Sequence, residues 1–156
     1  AGSWRFRPEE QPKRKTMLIR SRNSVSFPLW AISIRQPWAE LILRREKLVE
    51  LRLWRLPEKY WHQWLWLHVA AAMSGKEREI AHRIFGSVVL PLGGFVGRVR
   101  FGCPTWDSTP EEGKPYINQS CCWYWPITGA ERVDFIPARG KLRIFTVELS
   151  EKSAES

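Results

Sequence analysis

The sequence predicts an α+β domain: a curved or barrel-like mixed sheet of five or six strands with two or more helices packed at its side. Three observations lead there. Between residues 29 and 149 the hydrophobic pattern switches repeatedly between the two-residue alternation of strands and the spacing of helices. The last third of that stretch is almost entirely strand-like. The helical stripes come early and are too few to cover both faces of a parallel sheet.

Taken in chain order, Trp30-Ala31-Ile32-Ser33-Ile34-Arg35 alternates as a strand does. Pro37 then stands where a proline can open a helix, with Trp38, Leu41, Ile42 and Arg45 on one stripe. Leu48 to Trp54 alternates again, Val49, Leu51 and Leu53 on an apolar face and Glu50, Arg52 and Trp54 on the other. Residues 63–69 are apolar on both faces, the pattern of a strand covered on both sides and hence central. Ser74-Gly75-Lys76-Glu77 has the form of a capping box, followed by Ile80, Ala81 and Ile84 at helical spacing and Gly86 as a stop. Gly94 to Phe101, Cys121 to Ile127 and Lys141 to Leu149 read as strands separated by Gly- and Pro-containing turns. Cys103 to Gln119, with Pro104, Pro110, Gly113 and Pro115, reads as a long surface loop.

A chain of 156 residues with 44% hydrophobic content has room for one core. The expected organisation is a basic, flexible arm over residues 1–28, one domain over 29–150 and a flexible tail over 151–156. Ala1-Gly2-Ser3 reads as a cloning remnant. Much of the net charge of +9 sits in the arm, where Arg5, Arg7, Lys13, Arg14, Lys15, Arg20 and Arg22 face only Glu9 and Glu10. Such a segment buries too little apolar surface to offset its ordering entropy. No apolar run approaches the roughly 20 residues of a membrane span, and Arg and Pro stand where a secretory signal needs an apolar stretch. The expectation is a soluble intracellular protein, cytoplasmic or nuclear. Three cysteines without a C-x-x-C pair fit free thiols in a reducing compartment rather than a structural zinc site. Ten tryptophans beside excess positive charge suit a surface that stacks bases and neutralises phosphates, although tryptophan also fills small cores.

The densest chemistry lies in Ser33 to Ala39 and Lys47 to Trp54. Alternate strand residues project to one side about 6.6–7 Å apart, so Glu50, Arg52 and Trp54 line up as acid, cation and ring. Lys47, at the turn feeding this strand, reaches the same face, and Ser33 and Arg35 share one parity on the preceding strand. The same residues also fit a solvated sheet face with ion pairs worth about 0–1 kcal/mol each. His68 shares a face with Trp64 and Trp66, and His62 has the same parity. A histidine on an apolar strand is more often a hydrogen-bonded core residue, and no Cys, Asp or Glu stands at ligand spacing, so no metal is expected. Ser33 or Ser120 serves as a nucleophile only beside a suitable base, and the sequence places none there. Arg98 and Arg100 face one way and extend the positive surface.

The series Ile32 to Ile42, Lys47 to Trp54 and Trp64 to Ala71, with Gly93 to Val99 and Gly140 to Phe145, resembles the ASCH (activating signal cointegrator homology) family of the PUA-like superfamily. The resemblance spans about residues 29 to 149. It implies a small PUA-like β-barrel flanked by helices, with a cleft for RNA or another nucleic-acid ligand. It also implies functions that vary by branch: RNA-binding or coactivator modules, ribonucleases, and amidohydrolases that deacetylate N4-acetylcytidine. The family's Lys falls on Lys47, and its Glu and Arg fall on Glu50 and Arg52. Where the amidohydrolase branch typically carries Thr, this chain has Glu50, and Arg45 stands where a Gly is usual.

The leading expectation is a module that binds nucleic acid, single-stranded RNA ahead of DNA, through Ser33, Arg35, Trp38, Lys47, Glu50, Arg52, Trp54 and Ser120. In it Lys47 and Arg52 neutralise phosphate, Trp54 or Trp38 stacks a base, and Glu50 accepts from a base amino group. The alternative is a hydrolase on RNA or a modified nucleoside with Lys47 and Glu50 as catalytic residues. A protein-interaction or coactivator module is third. No cofactor, metal or membrane partner is expected, and the chain is expected to be a monomer.

Overall fold

The computed structural model describes residues 3–7, 29–107 and 122–152. Its elements in order are β1 (Ser3–Arg7), β2 (Trp30–Ile34), α1 (Trp38–Leu43), β3 (Val49–Arg52), β4 (Trp64–Val69), α2 (Gly75–Phe85), β5 (Gly94–Phe101), β6 (Thr105–Asp107), β7 (Cys122–Pro137), β8 (Ile144–Thr146) and β9 (Glu148–Lys152). A turn of 3-10 helix covers Glu58–Tyr60.

Seven strands form one mixed sheet in the order β3-β7-β5-β4-β2-β8, with β6 also paired to β7. Only β2 and β4 run parallel within it. The α+β class is as expected, but the sheet has more strands than the five or six read from the sequence, and it does not close into a barrel. Its ends are β3, of four residues, and β8, of three, and among the described residues each pairs on one side alone. Closure would need these two to meet, and a barrel requires all its strands to tilt and stagger together.

The strand covered on both faces is β4, which lies between β5 and β2 and is buried from Leu65 to Val69. Around it gather Ile32, Ile34, Ala39, Ile42, Leu65, Leu67, Val99, Phe101 and Trp125, the main apolar core. Helix α1 follows Pro37, and the buried Gln36 side chain accepts from the Glu40 amide at 2.9 Å, satisfying one otherwise orphaned helix donor. At α2 the capping box is complete: Ser74 accepts from the Glu77 amide, and Glu77 accepts from that of Ser74.

The largest departure is β7. The sequence reading ends a strand at Ile127 and leaves Gly- and Pro-containing turns between it and Lys141, yet β7 runs for 16 residues, to Pro137. Its first half pairs with β3 and β6, and its second half with β5. Gly129 is not a turn residue: a Cβ there would lie 2.8 Å from the Trp64 ring, so the glycine admits a neighbouring indole.

Within the stretch read as an arm, Ser3–Arg7 pairs antiparallel with Glu148–Lys152, so backbone pairing also reaches two residues into the expected tail. Residues 8–28 lie outside the described residues, as does most of the expected loop after Asp107. Among the described residues no helix is long and apolar enough to cross a membrane.

Candidate functional site

A cleft of about 1050 Å³ opens beside β2, β3 and β4, roofed by the segment 138–143 that joins β7 to β8. Its floor is buried and its rim exposed, and the two are built differently.

The floor comes from the turn after α1 and from β3. Lys47 and Glu50 are 4% and 7% exposed. The Lys47 ammonium donates to the Val49 carbonyl and to Glu50 Oε2, the latter at 3.2 Å. Arg52 Nε donates to Glu50 Oε1 at 3.1 Å, and its Nη2 reaches the Ser33 carbonyl at 3.2 Å, tying β3 to β2. Burial alone would raise the Glu50 carboxyl. The charges and hydrogen bonds of Lys47 and Arg52 outweigh it and hold the group below the usual carboxylate range. The floor is thus one carboxylate between two cations, carrying one net positive charge.

Of the residues singled out from the sequence, Ser33, Arg35, Trp38, Lys47, Glu50 and Arg52 all line this cleft. Arg35 stands at its edge, held by both oxygens of Glu77 at 3.0 and 2.8 Å and by the Ala72 carbonyl. Trp38, at the start of α1, is a half-buried wall.

Trp54 departs from the expected line and is not part of the lining. Strand β3 ends at Arg52 and the chain bends at 53–54, so the alternation that aligned Trp54 with Glu50 and Arg52 stops one step short. Leu53, read onto the apolar face with Val49 and Leu51, is 70% exposed. The Trp54 ring instead packs edge-on against Trp125 at 4.7 Å and lies under the Arg143 guanidinium at 5.0 Å. Ser120 lies outside the described residues. His62 is exposed, on a left-handed backbone.

The sequence reading missed the rim. Arg139, Lys141 and Arg143 place cations at alternate positions along the roof, and all three are exposed. The signal was the run Arg139-Gly140-Lys141-Leu142-Arg143, of which Lys141 to Arg143 were read into a strand that in fact begins only at Ile144.

His68 is a further lining residue, treated above as core. It is nearly fully buried, packed edge-on against Phe95 and Phe145 at 5.5 and 6.0 Å. Both ring nitrogens are engaged, Nε2 with the Ala138 carbonyl at 2.8 Å and Nδ1 with Ser33 Oγ at 3.1 Å. Burial lowers its pKa, against a smaller upward pull from the Ala138 carbonyl. Among the described residues no group of three His, Cys, Asp or Glu side chains gathers as metal ligands do.

No family model matches the chain, and no curated protein matches it. Among solved structures the chain is similar to ASCH from Zymomonas mobilis. The crystal structure of that protein aligns at 12% identity and a TM-score of 0.45, over 69% of this chain and 72% of the other. A mutant of the same protein aligns at 12% identity and a TM-score of 0.44, over 71% of this chain and 77% of the other.

Proposed function

We propose that this cleft binds single-stranded nucleic acid, RNA ahead of DNA, as an ASCH-type module. The observation that carries the reading is the pairing of a cationic floor with a cationic, solvent-facing rim around one concavity. The volume of about 1050 Å³ is at the upper end of small-molecule pockets, enough for one nucleotide unit. The exposed Arg139, Lys141 and Arg143 then meet the phosphates that continue beyond it. Trp38 brings an indole to the cleft wall, where a base can stack. Arg52 and Glu50 offer a donor and an acceptor to a base edge. The preference for RNA rests on the resemblance of the sequence to the ASCH family.

Fluorescence anisotropy of a labelled single-stranded RNA, titrated with the full chain at two salt concentrations, tests this reading. Saturable binding that weakens as salt rises is expected. Absence of binding at low salt, or indifference to salt, overturns it.

A second reading, hydrolysis of an acylated nucleoside by Lys47 and Glu50, draws support from their buried contact at 3.2 Å. In that geometry the ammonium is already spent on Glu50 and on the Val49 carbonyl, whereas activating a water would need it as a base. Release of acetate from N4-acetylcytidine, lost in Lys47→Ala, would reverse the ranking.

A further inference from the structure

The binding reading gives His68 no task and does not explain why it is paired with Ser33. These residues are directly opposite one another on the parallel strands β2 and β4, and both line the cleft. A carbonyl can only accept, so the contact from His68 Nε2 to the Ala138 oxygen fixes the proton on Nε2. In the neutral ring Nδ1 is then an acceptor, and the Ser33 hydroxyl is the donor across their 3.1 Å contact. The result is a hydroxyl facing a cleft, hydrogen-bonded to an unprotonated imidazole nitrogen, with that imidazole oriented by a third group. Nucleophile, base and orienter are the three parts an activated serine requires. The ring has been given its place at a cost to the neighbouring chain: a Cβ at residue 140 would lie 2.4 Å from His68 Cε1 and Nδ1, so only glycine admits the roof there. Arg52 brings positive charge to the same spot, its Nη2 bonded to the carbonyl of Ser33 itself.

We propose that Ser33 is a nucleophile and His68 its general base, and that the cleft hydrolyses acyl esters carrying an anionic group. Ser33 Oγ attacks the ester carbonyl while its proton passes to His68 Nδ1, and the imidazolium that forms is held by Ala138 through Nε2–H. The bond from carbonyl carbon to leaving oxygen breaks, and that oxygen takes the proton from Nδ1. Water then attacks the acyl carbon, giving a proton to His68 Nδ1; the bond from that carbon to Ser33 Oγ breaks, Oγ takes the proton back from Nδ1, and the carboxylic acid leaves. Burial of His68 favours the neutral ring that the first step needs. The anionic requirement comes from Arg139, Lys141 and Arg143 on the rim.

The test is covalent labelling of the full chain with a fluorophosphonate, which forms an Oγ–P bond on an activated serine and expels fluoride, followed by peptide mass mapping. One adduct is expected, on the peptide containing Ser33, absent in Ser33→Ala and slower by about 100-fold or more in His68→Gln. Absence of the adduct from Ser33 overturns the proposal, as does an unchanged rate in His68→Gln that melts cooperatively. If His68→Gln does not fold, the site of labelling in the unaltered chain decides alone. For the substrate class, p-nitrophenyl hemisuccinate is expected to turn over faster than the neutral p-nitrophenyl butyrate at low salt. Equal rates would overturn the anionic requirement.

Discussion

Two carboxylates are buried among the described residues, Glu40 and Glu50, and each sits between two cations. Their surroundings differ in what lies behind the cations. Glu40 on α1 is held by Arg132 of β7, through 2.8 and 2.6 Å contacts, and by Arg44 at 2.9 Å, and both arginine side chains are roughly half exposed. Glu50 is held by Arg52 and by Lys47, whose side chain is only 4% exposed and which, like Glu50 itself, faces the cleft. The first cluster ties a helix to the sheet with its cations in water. The second keeps a lysine out of water next to a concavity, a costly arrangement that depends on its contacts with Glu50 and the Val49 carbonyl. A buried ion pair is weak evidence for stability in itself; its position, not its existence, separates a strut from a site.

Removing the carboxylates one at a time should separate the two clusters most widely. Glu50→Ala leaves Lys47 buried without its counter-charge and is expected to cost about 3–5 kcal/mol, read as a fall in the urea midpoint. Glu40→Ala releases two arginines that already reach solvent and is expected to cost about 1–2 kcal/mol. Equal losses would break the distinction.

Acid should strike both clusters. Each carboxyl lies below its ordinary value in the folded chain, burial being outweighed by Lys47 and Arg52 for Glu50, and by Arg132 and Arg44 for Glu40. The stability they supply is therefore complete above the unfolded value of about 4.3 and is lost as pH falls through the lower folded values. Urea melts between pH 6 and pH 3 should show this decline, and it should be shallower in a variant carrying Glu40→Gln and Glu50→Gln. A decline of the same steepness in that variant would place the acid sensitivity elsewhere.

The smallest effect on folding belongs to the rim. Lys141→Ala is expected to change stability by less than about 0.5 kcal/mol, yet to lower RNA affinity and reduce the slope of log affinity against log salt by about 0.7. A change in stability without a change in that slope would make Lys141 part of the fold and not of the cleft.

How much of this was legible in the sequence follows from how far apart the partners are. Local periodicity placed β2, α1, β3, β4 and α2, because the capping box at Ser74 and the doubly apolar run before Val69 are decided by neighbours a few residues away. It also aligned Glu50 with Arg52, and Lys47 with both, since those contacts lie within the six residues from Lys47 to Arg52. It failed where the deciding partner is distant. The stretch after Ile127 reads as a break between strands, yet Gly129 stays in β7 with the Trp64 ring against it, and Lys141 to Arg143 read as strand, yet they belong to the roof whose Ala138 meets His68, 70 positions away. Trp54 failed for a local reason: parity extrapolates only while a strand lasts, and β3 lasts four residues.

The roof over the cleft spans only six residues, and it is anchored by strand pairing at Pro137 on one side and Ile144 on the other. Such a strap behaves like a replaceable cassette: exchanging Arg139, Lys141 or Arg143 retunes what the opening admits and leaves the strands that carry it untouched. Gly140 is the one position that resists such exchange, because any larger residue would press on the imidazole beneath it. Divergent copies of this protein are therefore expected to vary in charge on either side of a fixed glycine.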